Sequence, residues 1–210
     1  MSRVLYIQAS PRGQRSKSIT VADVFAAEYL KDNPNDQVET LNVFDAAIPI
    51  FDGFAVQAKY SIMHGQDRTE EELEAWKEIE VVIERFTSAD KYLFAVPMWN
   101  FSIPYRLKQY LDVLVQPGYT FSFDSETGYK GLITEKPALV VYARGGEYAA
   151  GDGSEALDYQ KRYMELILGF IGFDNIRSVV VEPTLQAGPD FAKARVQQAV
   201  DEAKKIACDF

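Results

Sequence analysis

The sequence predicts an α/β fold, a doubly wound five-stranded parallel sheet with helices on both faces. Two observations carry this expectation. Five short apolar runs alternate with amphipathic helical stretches along the 210 residues, and no repeat, low-complexity tract or linker-like composition divides them. The length suits one domain, 1–210, with enough interior for a sizeable core. Right-handed crossovers between parallel strands then place helices on both faces.

The elements follow in order. Arg3-Val-Leu-Tyr-Ile-Gln8 reads as a buried strand, followed by a loop rich in Ser, Arg and Gly. From Ser18, apolar residues at Ile19, Val21, Ala22, Phe25, Ala26 and Tyr29 recur at helical spacing, and Asn33-Pro34 ends the run. Gln37 to Val43 alternates as a second strand, and Phe44 to Asp67, with Pro49 and two glycines, reads as irregular. Glu70 to Phe86 is an acidic amphipathic helix, and Asp90 to Val96 is a third strand. Pro97 to Phe101 is a turn; Ser102 and Pro104 open a helix reaching about Val115. Gln116 to Lys130 reads as a loop, Pro137 to Tyr142 as the fourth strand, and Arg144-Gly-Gly146 starts a glycine-rich loop ending near Ser154. A helix over Glu155–Leu168, a fifth strand over Asn175–Val181 and a closing helix over Asp190–Ala207 complete the chain.

Composition removes several function classes. The net charge of −9 argues against nucleic acid and anionic membrane surfaces as partners. The lone Cys208 permits no intrachain disulfide, which fits a reducing, cytoplasmic setting. The lone His64, in a polar stretch that reads as a solvated loop, argues against a histidine-rich metal site or a Ser-His-Asp triad as the organising principle, and no metal is expected. No apolar run is long enough to span a membrane, and Met1 to Gln8 is too short for a signal peptide.

In a doubly wound sheet, ligands bind at the carboxyl ends of the strands, near the switch in strand order. Three loops there carry chemistry. In Ala9-Ser-Pro-Arg-Gly-Gln-Arg-Ser-Lys-Ser18, Ser10, Ser16 and Ser18 can donate to phosphate oxygens, with Arg12, Arg15 and Lys17 adding positive charge at a helix start. Helix capping explains one of these serines, but three with Gly13 exceed what a cap needs. Neither a G-x-x-x-x-G-K-[ST] nor a G-x-G-x-x-G motif occurs here, so a mononucleotide such as FMN fits better than a nucleoside triphosphate or a dinucleotide.

The second loop, Pro97-Met-Trp-Asn-Phe101, offers amide donors and acceptors with apolar faces, the mixture a pteridine-like ring edge requires; a packed turn with Trp99 in the core accounts for it equally well in isolation. The third, Ala143-Arg-Gly-Gly146, pairs glycines that allow close main-chain approach and positive φ, and a simple turn is again an even alternative. Three such loops at one end of one sheet make independent coincidence improbable.

Ser10, Ser16-Lys-Ser18, Pro97-Met-Trp-Asn-Phe101, Thr120-Phe121, Arg144-Gly-Gly146 and Leu168-Gly-Phe-Ile-Gly172 fall in order and at suitable spacing over nearly the whole chain. As a set they resemble the FMN-dependent NADH:quinone oxidoreductases, also called azoreductases. The resemblance implies a flavodoxin-like fold, a homodimer with active sites at the interface, non-covalent FMN, and ping-pong transfer of two electrons from NADH or NADPH to quinones or azo compounds. It implies phosphate contacts from Ser10, Ser16, Lys17 and Ser18, and ring and ribityl contacts from Met98, Trp99, Asn100, Phe101, Ala143, Arg144, Gly145 and Gly146. It implies that Phe121 and Phe123 wall the acceptor pocket, from the same or the other subunit; Tyr148 joins them as a candidate, and no side chain stands out as the proton donor. Trp99 stands where tyrosine is frequent, Ala143 where serine is frequent and Phe123 where tyrosine would add a hydroxyl; the loop Glu147 to Ser154 is extended. Two rival readings are a flavodoxin-type electron carrier without its own turnover, and a flavin-free α/β module whose loops are only turns.

Overall fold

A computed structural model describes residues 1–148, 151 and 153–210. The loop expected to be extended, 147–154, lies partly outside the described residues, at 149, 150 and 152. In chain order the strands are β1 (Arg3–Gln8), β2 (Gln37–Asn42), β3 (Lys91–Pro97), β4 (Phe121–Asp124), β5 (Gly128–Gly131), β6 (Ala138–Ala143) and β7 (Ile176–Val181). The helices are α1 (Lys17–Asp32), α2 (Gly53–Met63), α3 (Glu70–Thr87), α4 (Tyr105–Leu114), α5 (Tyr159–Ile171) and α6 (Pro189–Ala207).

β2, β1, β3, β6 and β7 lie side by side in that order, every neighbouring pair parallel. This is the expected sheet. Its central strands are apolar on both faces because both are covered, as parallel sheets require. Leu5, Ile7, Tyr92, Phe94, Val96, Val140 and Tyr142 pack with α3, α4 and α5 residues such as Trp76, Ile83, Leu111 and Leu168. The alternate residues Val4, Tyr6, Leu93, Leu139 and Val141 pack with Ile19, Phe25 and Tyr29 of α1 and Ala199 and Ala203 of α6. The period of two along each strand thus divides the core into two layers.

Helix boundaries follow local chemistry. Asn33 closes α1, with its backbone N–H and its Nδ2 both donating to Tyr29 O, and Pro34 cannot extend it. Thr69 and Glu72 form a reciprocal capping box that starts α3. Asp158 caps α5, and Gly172, at φ 117°, ends it in the left-handed region.

Two expectations are corrected. The stretch 44–67 is not irregular throughout: Asp52 Oδ1 accepts from the N–H groups of Phe54 and Ala55 and starts α2. The stretch 116–130 is not a bare loop but contains most of the antiparallel hairpin β4–β5. Asp124 Oδ1 gathers the N–H groups of Glu126 and Thr127, and Gly128 turns the chain at φ 78°. The hairpin sits hard against the end of α5. A Cβ placed on Gly131 would lie 2.2 Å from the Gly172 nitrogen, so two backbones meet where no side chain fits.

Candidate functional site

The switch in strand order falls at β1, which has β2 on one side and β3 on the other. The three expected loops leave the carboxyl ends of the adjacent strands β1, β3 and β6, and main-chain bonds tie them together. Ala9 N–H donates to Ala95 O at 3.0 Å, and Met98 N–H donates to Ala143 O at 2.8 Å.

In the first loop, Ser10, Ser16 and Ser18 are all buried. Ser16 holds the N-cap position of α1 but makes no side-chain cap bond among the described residues. Its Oγ lies 3.1 Å from Ser18 Oγ instead. Plain capping therefore does not explain this serine. Ser10 Oγ accepts weakly from Arg12 N–H at 3.4 Å, which leaves its own hydroxyl proton free to donate. Arg12, Arg15 and Lys17 are exposed, and among the described residues none has a carboxylate within ion-pairing distance. Buried hydroxyls, an uncapped helix start and unpaired cations form a donor set suited to a phosphate monoester.

The second loop is a two-residue turn. Trp99 and Ser102 exchange main-chain bonds of 2.9 and 3.0 Å, with Asn100 (φ 48°) and Phe101 (φ 68°) between them. Two successive positive φ values define the turn type that favours Asn and Gly, so Phe101 carries backbone strain. The Asn100 N–H has no acceptor among the described residues, and Asn100 is an exposed residue. Trp99 is neither in the core nor free. It is half-buried, with ring centroids 5.6 Å from Phe44 and 6.4 Å from Tyr105. A cavity of about 350 Å³ beside it is lined by Trp99, Asn100, Ser102, Tyr105, Lys108 and Tyr163. Burial raises the Tyr163 phenol above its ordinary range, so it keeps its proton at neutral pH.

In the third loop, Gly145 and Gly146 have no positive φ, contrary to expectation. Close packing calls for the small residue at Gly145, where a Cβ would press on Leu185, 3.1 Å away, but not at Gly146, where it would meet only ordinary contacts from 3.5 Å. Neither glycine N–H has a protein acceptor among the described residues. A second cavity, of about 590 Å³, is lined by Phe101, Gly145, Gly146 and Tyr148 among others. Arg144 differs from its neighbours, since its buried side chain is committed to Asp158 at 2.6 Å, Gln160 at 2.9 Å and Glu182 at 3.2 Å.

The structure thus brings the serines, the Met98–Phe101 turn, Ala143 to Gly146 and Tyr148 to one end of the sheet. It does not bring Phe121 or Phe123 there within one chain. Phe121 packs on Phe170 at 4.9 Å, Phe123 is exposed, and neither lines the two cavities. Tyr105, Lys108 and Tyr163 line the cavity beside Trp99, although the sequence carries no signal for them. Their helices read as amphipathic, and nothing local shows which exposed residues reach the strand ends.

A family model described as flavodoxin-like fold matches residues 2–207. An FMN-dependent NADH:quinone oxidoreductase of Nitratidesulfovibrio vulgaris (strain DP4) is 54% identical over 210 residues, covering 100% of both chains. The chain belongs to the flavodoxin-like family of FMN-dependent NADH:quinone oxidoreductases and azoreductases. Two solved members of this family superpose closely. The azoreductase from Bacillus anthracis str. Sterne gives a TM-score of 0.91 at 32% identity, with 100% of both chains covered. The FMN-dependent NADH-azoreductase from Bacillus anthracis str. Ames Ancestor, solved in complex with FMN, gives 0.88 at 29% identity, covering 99% of this chain and 98% of that one.

Proposed function

We propose that this chain is an FMN-dependent oxidoreductase that passes two electrons from NADH or NADPH to quinones or azo compounds, with ping-pong kinetics. The observation that carries the reading is the buried pair Ser16 and Ser18 at a helix start without a side-chain cap, adjoining two loops in which the N–H groups of Asn100, Gly145 and Gly146 have no acceptor among the described residues. FMN, when bound, supplies the ring that accepts a hydride and delivers two electrons.

The chain's own residues bind and orient. Ser10, Ser16 and Ser18 donate to the phosphate, and Lys17 with Arg12 and Arg15 supplies positive charge. Met98, Trp99, Asn100 and Phe101, together with Ala143, Gly145 and Gly146, would hold the ring and ribityl chain. The N–H groups of Asn100, Gly145 and Gly146, without acceptors among the described residues, would stabilise negative charge developing there. Trp99, Phe101 and Tyr148 present apolar faces that exclude water from a flat acceptor.

Phe121 and Phe123 belong to the acceptor wall of a second copy of the chain. The exposed aromatics Phe123 and Tyr129 on the β4–β5 hairpin support that homodimeric reading. No helix among the described residues is long and apolar enough to cross a membrane. The net charge of −9 supports a reading without nucleic-acid or anionic-membrane partners, and the lone Cys208 supports a cytoplasmic one.

The test is spectroscopic. Protein loaded with FMN and desalted should retain flavin absorbance, bleach with NADH under anaerobic conditions and recover when a quinone is added. Loss of all flavin on desalting would overturn the reading. Bleaching without catalytic turnover of quinone would favour a one-protein electron carrier instead.

A further inference from the structure

The guanidinium of Arg144 is buried, and it joins segments distant in sequence. Nε donates to Gln160 Oε1 at 2.9 Å, Nη2 to Asp158 Oδ2 at 2.6 Å and Nη1 to Glu182 Oε2 at 3.2 Å. Each partner holds something further. Gln160 Nε2 donates to Val96 O at 2.9 Å, one residue before the Pro97–Phe101 loop. Asp158 Oδ1 accepts from the N–H groups of Gln160 and Lys161, and the neighbouring Tyr159 N–H donates to Phe101 O at 3.0 Å. Glu182 Oε2 also accepts from Tyr148 N–H at 3.2 Å.

One cation therefore holds the end of β3, the first turn of α5, the segment after β7 and the loop containing Gly145 and Gly146. A buried charge cluster is a poor source of stability compared with apolar packing of the same volume. Its advantage is geometric, because a rigid planar fork fixes three partners in three directions and an ammonium does not.

We infer that Arg144 is a positioning residue: its guanidinium sets the spacing between the Asn100 amide and the Gly145 and Gly146 amides, and holds Tyr148 beside them. The inference rests on the flavin reading above, and it moves the arginine side chain from ring contact to support behind the ring site. The serine loop is held separately, by Ala9 on β3 and by α1 packed against α6. Loosening the Arg144 clamp should disturb the ring donors and leave the phosphate donors in place.

Two variants, Gln160→Leu and Arg144→Lys, test this. FMN and riboflavin are each titrated by fluorescence, and amide hydrogen exchange is measured on flavin-free protein. Both variants should weaken FMN and riboflavin by the same factor, about tenfold, so that the ratio of the two affinities stays at the wild-type value. Exchange should accelerate around Asn100–Phe101 and Gly145–Tyr148 and stay unchanged in α1. A changed ratio, unchanged affinities, or faster exchange throughout the chain would overturn the clamp. If wild-type protein binds neither flavin, the flavin reading fails, and the exchange pattern decides the clamp alone: acceleration confined to the two loops upholds it, and any other pattern overturns it.

Discussion

Ser18→Ala removes one hydroxyl from the proposed phosphate cradle and little else. Ser18 is fully buried, and the only partner of its Oγ among the described residues is Ser16 Oγ at 3.1 Å. In flavin-free protein the substitution breaks one neutral hydrogen bond, worth about 1 kcal/mol. In the FMN-bound protein it removes a charge-assisted bond to a phosphate oxygen, worth roughly 1.5–3 kcal/mol. The difference acts on binding and is about 0.5–2 kcal/mol, or roughly a 2–30-fold rise in the FMN dissociation constant. Riboflavin has no phosphate, so its affinity should change less than about twofold. Fluorescence titration of both flavins reads the two numbers on one sample. Equal weakening of both, or of neither, would refute the assignment of Ser18 to the phosphate.

Three further outcomes follow from other parts of the structure. Gly131→Ala would drive a Cβ to within 2.4 Å of the Gly172 backbone and should cost roughly 3 kcal/mol or more in urea denaturation, whereas an ordinary exposed substitution would not. The exposed cations Arg12, Arg15 and Lys17 should make FMN affinity fall with added salt while riboflavin affinity stays nearly flat. Burial raises the phenols of Tyr6, Tyr92, Tyr110 and Tyr142 well above their ordinary range. The unfolded chain then releases protons near pH 10 that the native state keeps, so their contribution is fully present below about pH 9 and stability falls as pH rises beyond about pH 10. Chemical denaturation midpoints across that range should drop steadily, by up to about 1.4 kcal/mol per pH unit for each such tyrosine.

The legible parts of the chain are those whose burial leaves a period in the sequence. β1, β3 and β6 are covered on both faces and read as unbroken apolar runs. α1 and α3 present large apolar residues at helical spacing. α2 does not: it buries only Ala55, Ala58 and Ser61, while Phe54, Tyr60, Ile62 and Met63 lie exposed. A helix that turns its small residues inward lacks the large-residue stripe that marks the others. The hairpin escaped for a related reason, since β4 and β5 are short and none of their residues is fully buried.

For the site, the sequence alone determined which strand ends carry ligand chemistry, because a strand–loop–helix unit dense in serines and basic residues has few other uses. The sequence also gathered the Pro97–Phe101 and Ala143–Gly146 segments as partners of that loop. Only the tertiary structure decided what each residue does there. Arg144 lies beside the paired glycines, yet its side chain turns into a cluster built from residues 14, 16 and 38 positions away. Ser16 holds a cap position and declines the cap. Local patterning reports which residues must be buried or exposed. The direction of a buried polar side chain is set by which distant donors and acceptors the packed sheet delivers to it, and that appears only once the chain has folded.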